Sequence, residues 1–419
     1  MDQSTAPQTK LQPFRPDYWM QKDMTPNSPR RVMLFDHTAQ LGGGEIALLD
    51  MVRFFDRSQV TPIIVLGSDG PLAERLRGIA EVHILELTSK VLHKRKDTLG
   101  SASLLELKSI VHAAAYVHQL TDFIRTNHIA LIHTNSLKAD ILGGIAGRLT
   151  HTPVIWHIRD RITDDYLPKP IVRIMRTLCR VLPDYVIGNS AATLETLKLN
   201  GTKPSIAIGS GVDLGAFHEL HDPSTSGRDN SPRKQLIGLV GRICPWKGQH
   251  IFLRAAAEVH KQFPHATFQI IGAALFEEQH YAIEMQKLAK DLGIAHVVEF
   301  TGFRNDVPDL MRNLDILVHA STTGEPFGQV IVQGMAAGKA VVATNGGGVP
   351  EIVVHGETGL LVPMGDAPAL GSAICALLNA PELAAEMGRA GRRRVLEHFT
   401  IEQTARKIET VYAQLAPPA

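Results

Sequence analysis

The chain has 419 residues, a net charge of +1, 44% hydrophobic residues and 35 glycines. That length predicts two or three domains, the glycine content fits an α/β protein with many tight strand-to-helix turns, and the balanced charge excludes a bulk electrostatic pull on nucleic acid. Cys179, Cys244 and Cys375 lie far apart in odd number, which points away from a disulfide framework or a cysteine-based zinc site and toward a reducing, cytoplasmic setting.

Residues 1–29 are polar and proline-bearing with no apolar signal core, and are expected to form a flexible tail. Phe14, Tyr18 and Trp19 are the residues that would hold such an arm to a surface. Arg31 to Asp36 reads as the first strand. The loop after it ends in Gln40-Leu41-Gly42-Gly43-Gly44-Glu45 and opens an apolar-periodic helix from Ile46. Glycines there let the backbone approach a ligand closely, and Glu45 suits the positive end of the helix dipole. Further strands are expected over 61–66 and 82–85, then a helix from about Leu104 to Asn127 and a strand over 130–133. Thr134-Asn135-Ser136 should cap the next helix. His157 lies near the end of a strand over 153–160, and Ser190 caps the helix after a strand over 184–190. Strands alternating with helices predict a parallel, doubly wound sheet.

Residues 219–235 are polar and turn-rich, the best candidate for a linker. Alternation then restarts. A strand over 236–240 is followed by a loop carrying Gly241-Arg242 and Trp246-Lys247-Gly248, and by a helix from about His250. Strands follow over 267–272, 297–300, 315–320, 340–344 and 359–362. No run of apolar residues reaches the roughly 18 that a membrane-spanning helix needs.

Between the strands 315–320 and 340–344 runs Thr323-Gly324-Glu325-Pro326-Phe327-Gly328-Gln329, then a helix expected to open at Pro326 and close at Gly338. In an open parallel sheet, ligands bind just past the carboxyl ends of the strands. A helix N-terminus placed there offers unpaired N–H groups to a phosphate. Glu325 sits on the loop, and Gln333 lies two turns down the helix. Glu351, after the Gly346-Gly347-Gly348 loop, reads as an N-terminal helix residue rather than an acid catalyst.

Glu325-Pro326-Phe327-Gly328 between two buried strands resembles the donor site of retaining GT-B glycosyltransferases, the "glycosyl transferases group 1" family (family 4). That signature is a Glu, often followed by Pro-Phe-Gly, with a second Glu eight positions on; here the second position holds Gln333. The resemblance covers nearly the whole chain after residue 30 and is strongest between 236 and 362. It implies an α/β GT-B fold, two Rossmann-like doubly wound domains facing a central cleft. Residues 30–218 would form the acceptor side and 236–397 the nucleotide-sugar donor side, with a C-terminal helix within 398–419 crossing back to the first domain. The implied reaction moves a sugar from a UDP- or GDP-sugar to an acceptor hydroxyl with retention at the anomeric carbon, in glycan, polysaccharide or glycolipid biosynthesis.

The same resemblance implies roles for particular residues. Gly43 and Gly44 would face the donor phosphate and the acceptor. Arg242 and Lys247 would grip the diphosphate, Arg as a fork and Lys as a mobile point charge. Glu325 would hold sugar hydroxyls, with His157 close to the donor sugar. Phe327, Gly328 and Gln329 would complete the donor pocket at the helix start. Phe303 and Arg304 would border the nucleobase, and Gln333 would meet the ribose. With cations and a helix N-terminus on the diphosphate, no metal and no cofactor is expected. The expected partners are the nucleotide sugar and a glycan or lipid-linked acceptor. Reversible membrane contact is a further expectation. It rests on Arg173, Arg176 and Arg180 at helical spacing among Ile171, Ile174, Met175 and Leu178, and on the basic run His93-Lys94-Arg95-Lys96. Two alternatives stay open: a non-catalytic nucleotide-sugar-binding protein, which Gln333 suggests, and a nucleotide-sugar epimerase of the same shape.

Overall fold

A computed structural model describes residues 28–87, 107–217, 235–275 and 278–416. The expectations for residues 1–27, for the basic run at 93–96 and for all but the last residue of the linker lie outside the described residues.

Two parallel sheets organise the chain. The first contains β1 (Arg30–Asp36), β2 (Val60–Leu66), β3 (Glu81–Ile84), β4 (Leu131–Thr134), β5 (Val154–Ile158), β6 (Tyr185–Gly188) and β7 (Ser205–Ala207), in the order β3-β2-β1-β4-β5-β6-β7. The second contains β8 (Leu236–Val240), β9 (Thr267–Ile271), β10 (Val298–Gly302), β11 (Ile316–His319), β12 (Ala340–Thr344) and β13 (Leu360–Val362), in the order β10-β9-β8-β11-β12-β13. Helices cover both faces, so the central strands are continuous apolar runs rather than alternating ones. Val32, Met33, Leu34 and Phe35 are all buried, as are Leu317, Val318, Val341 and Val342. Register is set strand by strand: Phe35 pairs with Val65 on one side and Thr134 on the other, and Leu317 with Gly238 and Val341. In each sheet the strand order reverses once, between β1 and β4 and between β8 and β11. The crevice at such a reversal is where an open sheet holds its ligand.

The structure corrects several local expectations. The helix after Glu325 spans Gln329–Ala336 and starts past Pro326, because Gly328 adopts φ 119, a left-handed conformation outside a helix. The helix of the first glycine run spans Gly43–Phe54, so Gly43 and Gly44 belong to its first turn rather than to a loop. Ser136 stands at the N-cap of the helix Leu137–Thr150 but makes no capping bond. Its hydroxyl donates instead to Asp36 Oδ1 at 2.9 Å. Strand β7 was not foreseen; its three residues are all exposed and carry no apolar pattern.

The halves are tied together by the terminal helix Ile401–Leu415. Ile401, Ala405, Ile408 and Tyr412 make a stripe with helical spacing. They bury against Leu48, Leu49, Met51 and Val52 of the first half's Gly43–Phe54 helix. Polar contacts add specificity across the divide. Ser190 Oγ and Thr193 Oγ1 both donate to the Pro326 carbonyl, at 2.5 and 2.9 Å. The Glu351 carboxylate accepts from the amides of Ala191 and Ala192 at 2.9 and 2.8 Å, capping a helix of the other half. The helix Lys169–Val181 turns Ile171, Val172, Met175 and Cys179 into the core. Arg176 and Arg180 donate to backbone carbonyls of their own half, which leaves Arg173 and Ile174 on the outer face.

Candidate functional site

In the second half the site grows from the ends of β8 and β11. Glu325 is 5% exposed, and three donors converge on one carboxylate oxygen. Lys247 Nζ lies 2.5 Å from Oε1, Ser321 Oγ 2.7 Å and His319 Nε2 3.1 Å. Burial pushes the Glu325 carboxyl up, but the Lys247 charge and the His319 contact outweigh it and hold the group well below the usual carboxylate range. Glu325 is therefore an ionised, desolvated carboxylate at neutral pH. Lys247 reaches it because the 3-10 turn Pro245–Lys247 lies directly on the end of β11. Gly248 closes that turn at φ 73, and a Cβ on it would stand 1.9 Å from the Ala320 carbonyl, so only glycine allows the approach. The Gly346–Gly348 loop is seated the same way. A Cβ on Gly347, at φ 63, would meet the Glu325 carbonyl at 1.9 Å, and the Gly348 amide donates to that carbonyl at 2.9 Å.

The other expected donor-side residues fall into two groups. Arg242 follows β8, with its Nε 3.4 Å from Glu278 Oε2, and its carbonyl accepts from the buried Gln249 amide at 2.8 Å. Gln333 is half-buried on the helix that begins beside Glu325. Phe303 is an exposed ring past the end of β10, and Arg304 forms a two-pronged pair with Asp306. By contrast Phe327 is buried, with its ring 6.0 Å from that of Phe399. Gln329 donates to the Gly211 carbonyl at 3.0 Å. Gln329 thereby reaches the first half, while Phe327 packs beside the start of the terminal helix.

The first half places a polar network at the ends of β1, β4 and β5. Asp36 is fully buried and accepts from Asn135 Nδ2 at 2.7 Å and Ser136 Oγ at 2.9 Å, with His37 Nδ1 3.1 Å away. Burial works to raise its carboxyl, yet His37, Asn135 and Ser136 together bring it below the ordinary value. Arg159 is the hub, donating to Asn135 Oδ1 at 2.6 Å and to Ser210 Oγ at 3.1 Å. Its side chain passes under Gly44, where a Cβ would be 3.2 Å from Arg159 Cδ. Burial lowers the Arg159 guanidinium to about 10, against the pull of Glu45 and Asp36.

His157 is the next-to-last residue of β5, near the strand's end as the sequence predicts. Its Nδ1 lies 3.0 Å from His133 Nε2 and 3.4 Å from Arg159 Nη2, and His133 Nδ1 lies 2.6 Å from the Tyr412 hydroxyl. Burial, with the charge of Arg159, holds both rings neutral and brings His133 down to about 3.

The structure thus joins Lys247 to Glu325, and joins His157 and Gly44 through Arg159. Sequence reasoning passed over Asp36, His133, Asn135, Arg159, His319, Ser321 and Tyr412. The available signal was position. Asp36, Asn135 and Arg159 each stand where an apolar strand ends, the place where an open sheet meets its ligand. The two reversal crevices, one with Glu325 paired to Lys247 and one with Asp36, Asn135 and Arg159, supply charged and polar groups suited to an anionic, hydroxyl-rich ligand.

Comparison with known proteins shows what the chain as a whole is similar to. The family described as "Glycosyl transferases group 1" matches residues 226–394, and the one described as "Glycosyltransferase Family 4" matches residues 41–215. A lipopolysaccharide core biosynthesis mannosyltransferase of Rhizobium leguminosarum is 33% identical over 240 residues, which span 55% of this chain and 65% of that protein. A D-inositol 3-phosphate glycosyltransferase of Streptomyces scabiei is 27% identical over 420 residues, covering 92% of this chain and 91% of that one. Among solved structures, Anabaena HepE in complex with UDP and glucose superposes with a TM-score of 0.77 at 27% identity, over 92% of this chain and all of that one (100%).

Proposed function

The chain belongs to the group 1 glycosyltransferases (family 4) and has their GT-B fold, and on that premise we propose that it is a retaining, metal-independent enzyme transferring a sugar from a UDP- or GDP-sugar to an acceptor hydroxyl. The observation that carries this reading is the buried, ionised Glu325 paired with Lys247 at the strand reversal of the second sheet. Departure of a nucleoside diphosphate builds negative charge on its oxygens. Lys247, Arg242 and the amides at the start of the Gln329–Ala336 helix are the fixed positive groups that would meet that charge. Glu325 accepts hydrogen bonds from sugar hydroxyls and keeps the anomeric carbon in line with the acceptor. Attack comes from the face the diphosphate leaves, and a phosphate oxygen takes the acceptor's proton. The acceptor is a glycan or a lipid-linked sugar, in keeping with the lipopolysaccharide core enzyme that the chain resembles. The outer basic and apolar residues Arg173 and Ile174 give the first half a means of touching a cytoplasmic membrane surface.

Gln333 favours a second reading, donor binding without turnover. One experiment separates the two. Purified protein is screened by thermal shift against nucleotides and nucleotide sugars, and hydrolysis or transfer of the stabilising donor is then measured, with the anomeric configuration of the product read by NMR. Turnover with an α-linked donor giving an α-linked product supports the proposal. Stabilisation without turnover supports the binding protein, and an inverted product removes the retaining assignment.

A further inference from the structure

Three buried polar residues from distant parts of the chain form one line: Tyr412 on the terminal helix, His133 in β4 and His157 in β5. The separations are 2.6 Å from the Tyr412 hydroxyl to His133 Nδ1 and 3.0 Å from His133 Nε2 to His157 Nδ1. All three residues are at most 1% exposed.

The direction of the hydrogen bonds follows from Arg159. A guanidinium can only donate, and Arg159 Nη2 faces His157 Nδ1 at 3.4 Å. His157 Nδ1 must therefore be the lone-pair nitrogen, which places the His157 proton on Nε2. His133 Nε2, facing the same Nδ1, must carry a proton and donate. Its Nδ1 is then the acceptor, and the Tyr412 hydroxyl donates to it. The polarity runs one way, Tyr412 to His133 to His157. At the far end stands His157 Nε2–H, a buried donor with no hydrogen-bond partner among the described residues. A buried donor left over at the end of a satisfied chain is costly unless a ligand takes it up.

We propose that Tyr412 and His133 are positioning residues that, together with Arg159, hold His157 as its Nε2–H tautomer and keep that N–H as a neutral donor for a hydroxyl of the transferred sugar. This rests on the reading of the donor given above. It makes the terminal helix part of the site: the helix that ties the two halves together also anchors the His133 ring that donates to His157. A neutral ring suits the task, because it directs a hydroxyl without adding charge near a leaving diphosphate. Without the Tyr412 hydroxyl, His133 loses the partner of its Nδ1; Arg159 still faces His157 Nδ1, but the His133 ring is no longer anchored against it.

The test uses the full chain with ¹⁵N-labelled histidine. Long-range ¹H–¹⁵N correlation reports the tautomer of each ring whether or not donor is present. The parent should show His157 as the Nε2–H form, unchanged between pH 6 and 8. Tyr412→Phe should keep the Nε2–H form at His157, which Arg159 still faces, and show a mixture at His133. Its kcat should fall about threefold to tenfold, the equivalent of one neutral hydrogen bond, while affinity for UDP or GDP, which lack the transferred sugar, stays at the parent value. His133→Gln keeps a donor and an acceptor in the right order and should retain more activity than His133→Leu, which keeps neither. That pair of variants decides the matter if Tyr412→Phe does not fold. The Nδ1–H form of His157 in the parent would overturn the proposal, as would unchanged kcat in both Tyr412→Phe and His133→Leu. A parent that turns over no nucleotide sugar would sink the donor reading, while the tautomer measurement still decides the relay.

Discussion

Removing the Lys247 cation while keeping its stem, by Lys247→Met, tests the electrostatic logic of the second half directly. Glu325 is 5% exposed, and the substitution takes away the closest of its three partners, at 2.5 Å. Ser321 and His319 remain, at 2.7 and 3.1 Å. Breaking a buried pair by deleting one partner costs about 3–5 kcal/mol, because the other charge is left desolvated. The pH dependence has a defined sign. In the parent the Glu325 carboxyl is held below its ordinary 4.5, so the pair's stabilisation is fully present above that value and is lost as pH falls through the folded-state value. In Lys247→Met burial dominates and the carboxyl rises. The variant then gains stability relative to the unfolded chain as pH drops from 8 toward 5, and the penalty shrinks. Urea unfolding at pH 8 and pH 5.5, followed by the fluorescence of Trp246 beside the site, measures both. The double variant Lys247→Met/Glu325→Gln should lose less than the single one at pH 8, since no bare charge remains. A single-variant penalty below about 1 kcal/mol, or one of equal size at both pH values, would refute the reasoning.

Arg242→Ala should cost roughly 2–4 kcal/mol in kcat/KM for the donor, and activity should survive excess EDTA; a loss of less than a few-fold, or complete loss restored by Mg²⁺ or Mn²⁺, contradicts these expectations. Gln333→Glu should keep activity or lower the donor KM by up to about tenfold, since hydrogen bonds to a charged acceptor are worth more than neutral ones, and Gln333→Ala should be worse than the parent. If the alanine variant equals the parent in KM and kcat, position 333 does not touch the ribose. Burial, with Asp213 nearby, raises Asp50 to about 6, so its ionisation lowers stability as pH climbs from about 4 to 6. Asp50→Asn should accordingly raise the melting temperature at pH 7.5, by the equivalent of about 1–2 kcal/mol, and leave it unchanged near pH 4; an equal gain at both would point to packing instead.

How far the sequence could be read depended on whether the cause was local. Strands buried on both faces are continuous apolar runs, so β1, β2, β4, β8, β11 and β12 stand out from their neighbours. Three exposed residues of an edge strand, Ser205 to Ala207, have no such signature. The helix near Glu325 was placed too early because Pro326 suits a first turn. Its carbonyl instead receives Ser190 and Thr193 from the other half, and Gly328 leaves the helical region at φ 119. Glu351 was read as belonging to a helix N-terminus, and so it does. The helix its carboxylate caps, however, begins at Ala191, far back in the chain. Residue types along the glycine loops pointed to Lys247 and Glu325 separately, but their contact spans 78 residues and no spacing rule predicts it.

The line from Tyr412 to His157 shows where more could have been drawn from sequence alone. Its members are 279 and 24 residues apart, beyond any local pattern. Yet each is a polar group at a position that its own element assigns to the core. His133 sits within Leu131-Ile132-His133-Thr134, His157 within Val154-Ile155-Trp156-His157-Ile158, and Tyr412 in the apolar stripe of the terminal helix. A polar atom at a core position must be paired or it destabilises the fold. β4 and β5 are hydrogen-bonded neighbours, with His133 opposite Ile155 and Thr134 opposite Trp156. β4 stands at the strand reversal and β5 beside it, so their pairing brings polar core positions of the two strands close together. Burying the apolar stripe of the terminal helix against the first half then leaves the Tyr412 hydroxyl in need of a partner, and His133 supplies it. The same reasoning explains why His157 has one nitrogen left over: its neighbours satisfy Nδ1 and no protein group among the described residues satisfies Nε2, which is the arrangement a ligand-facing donor requires.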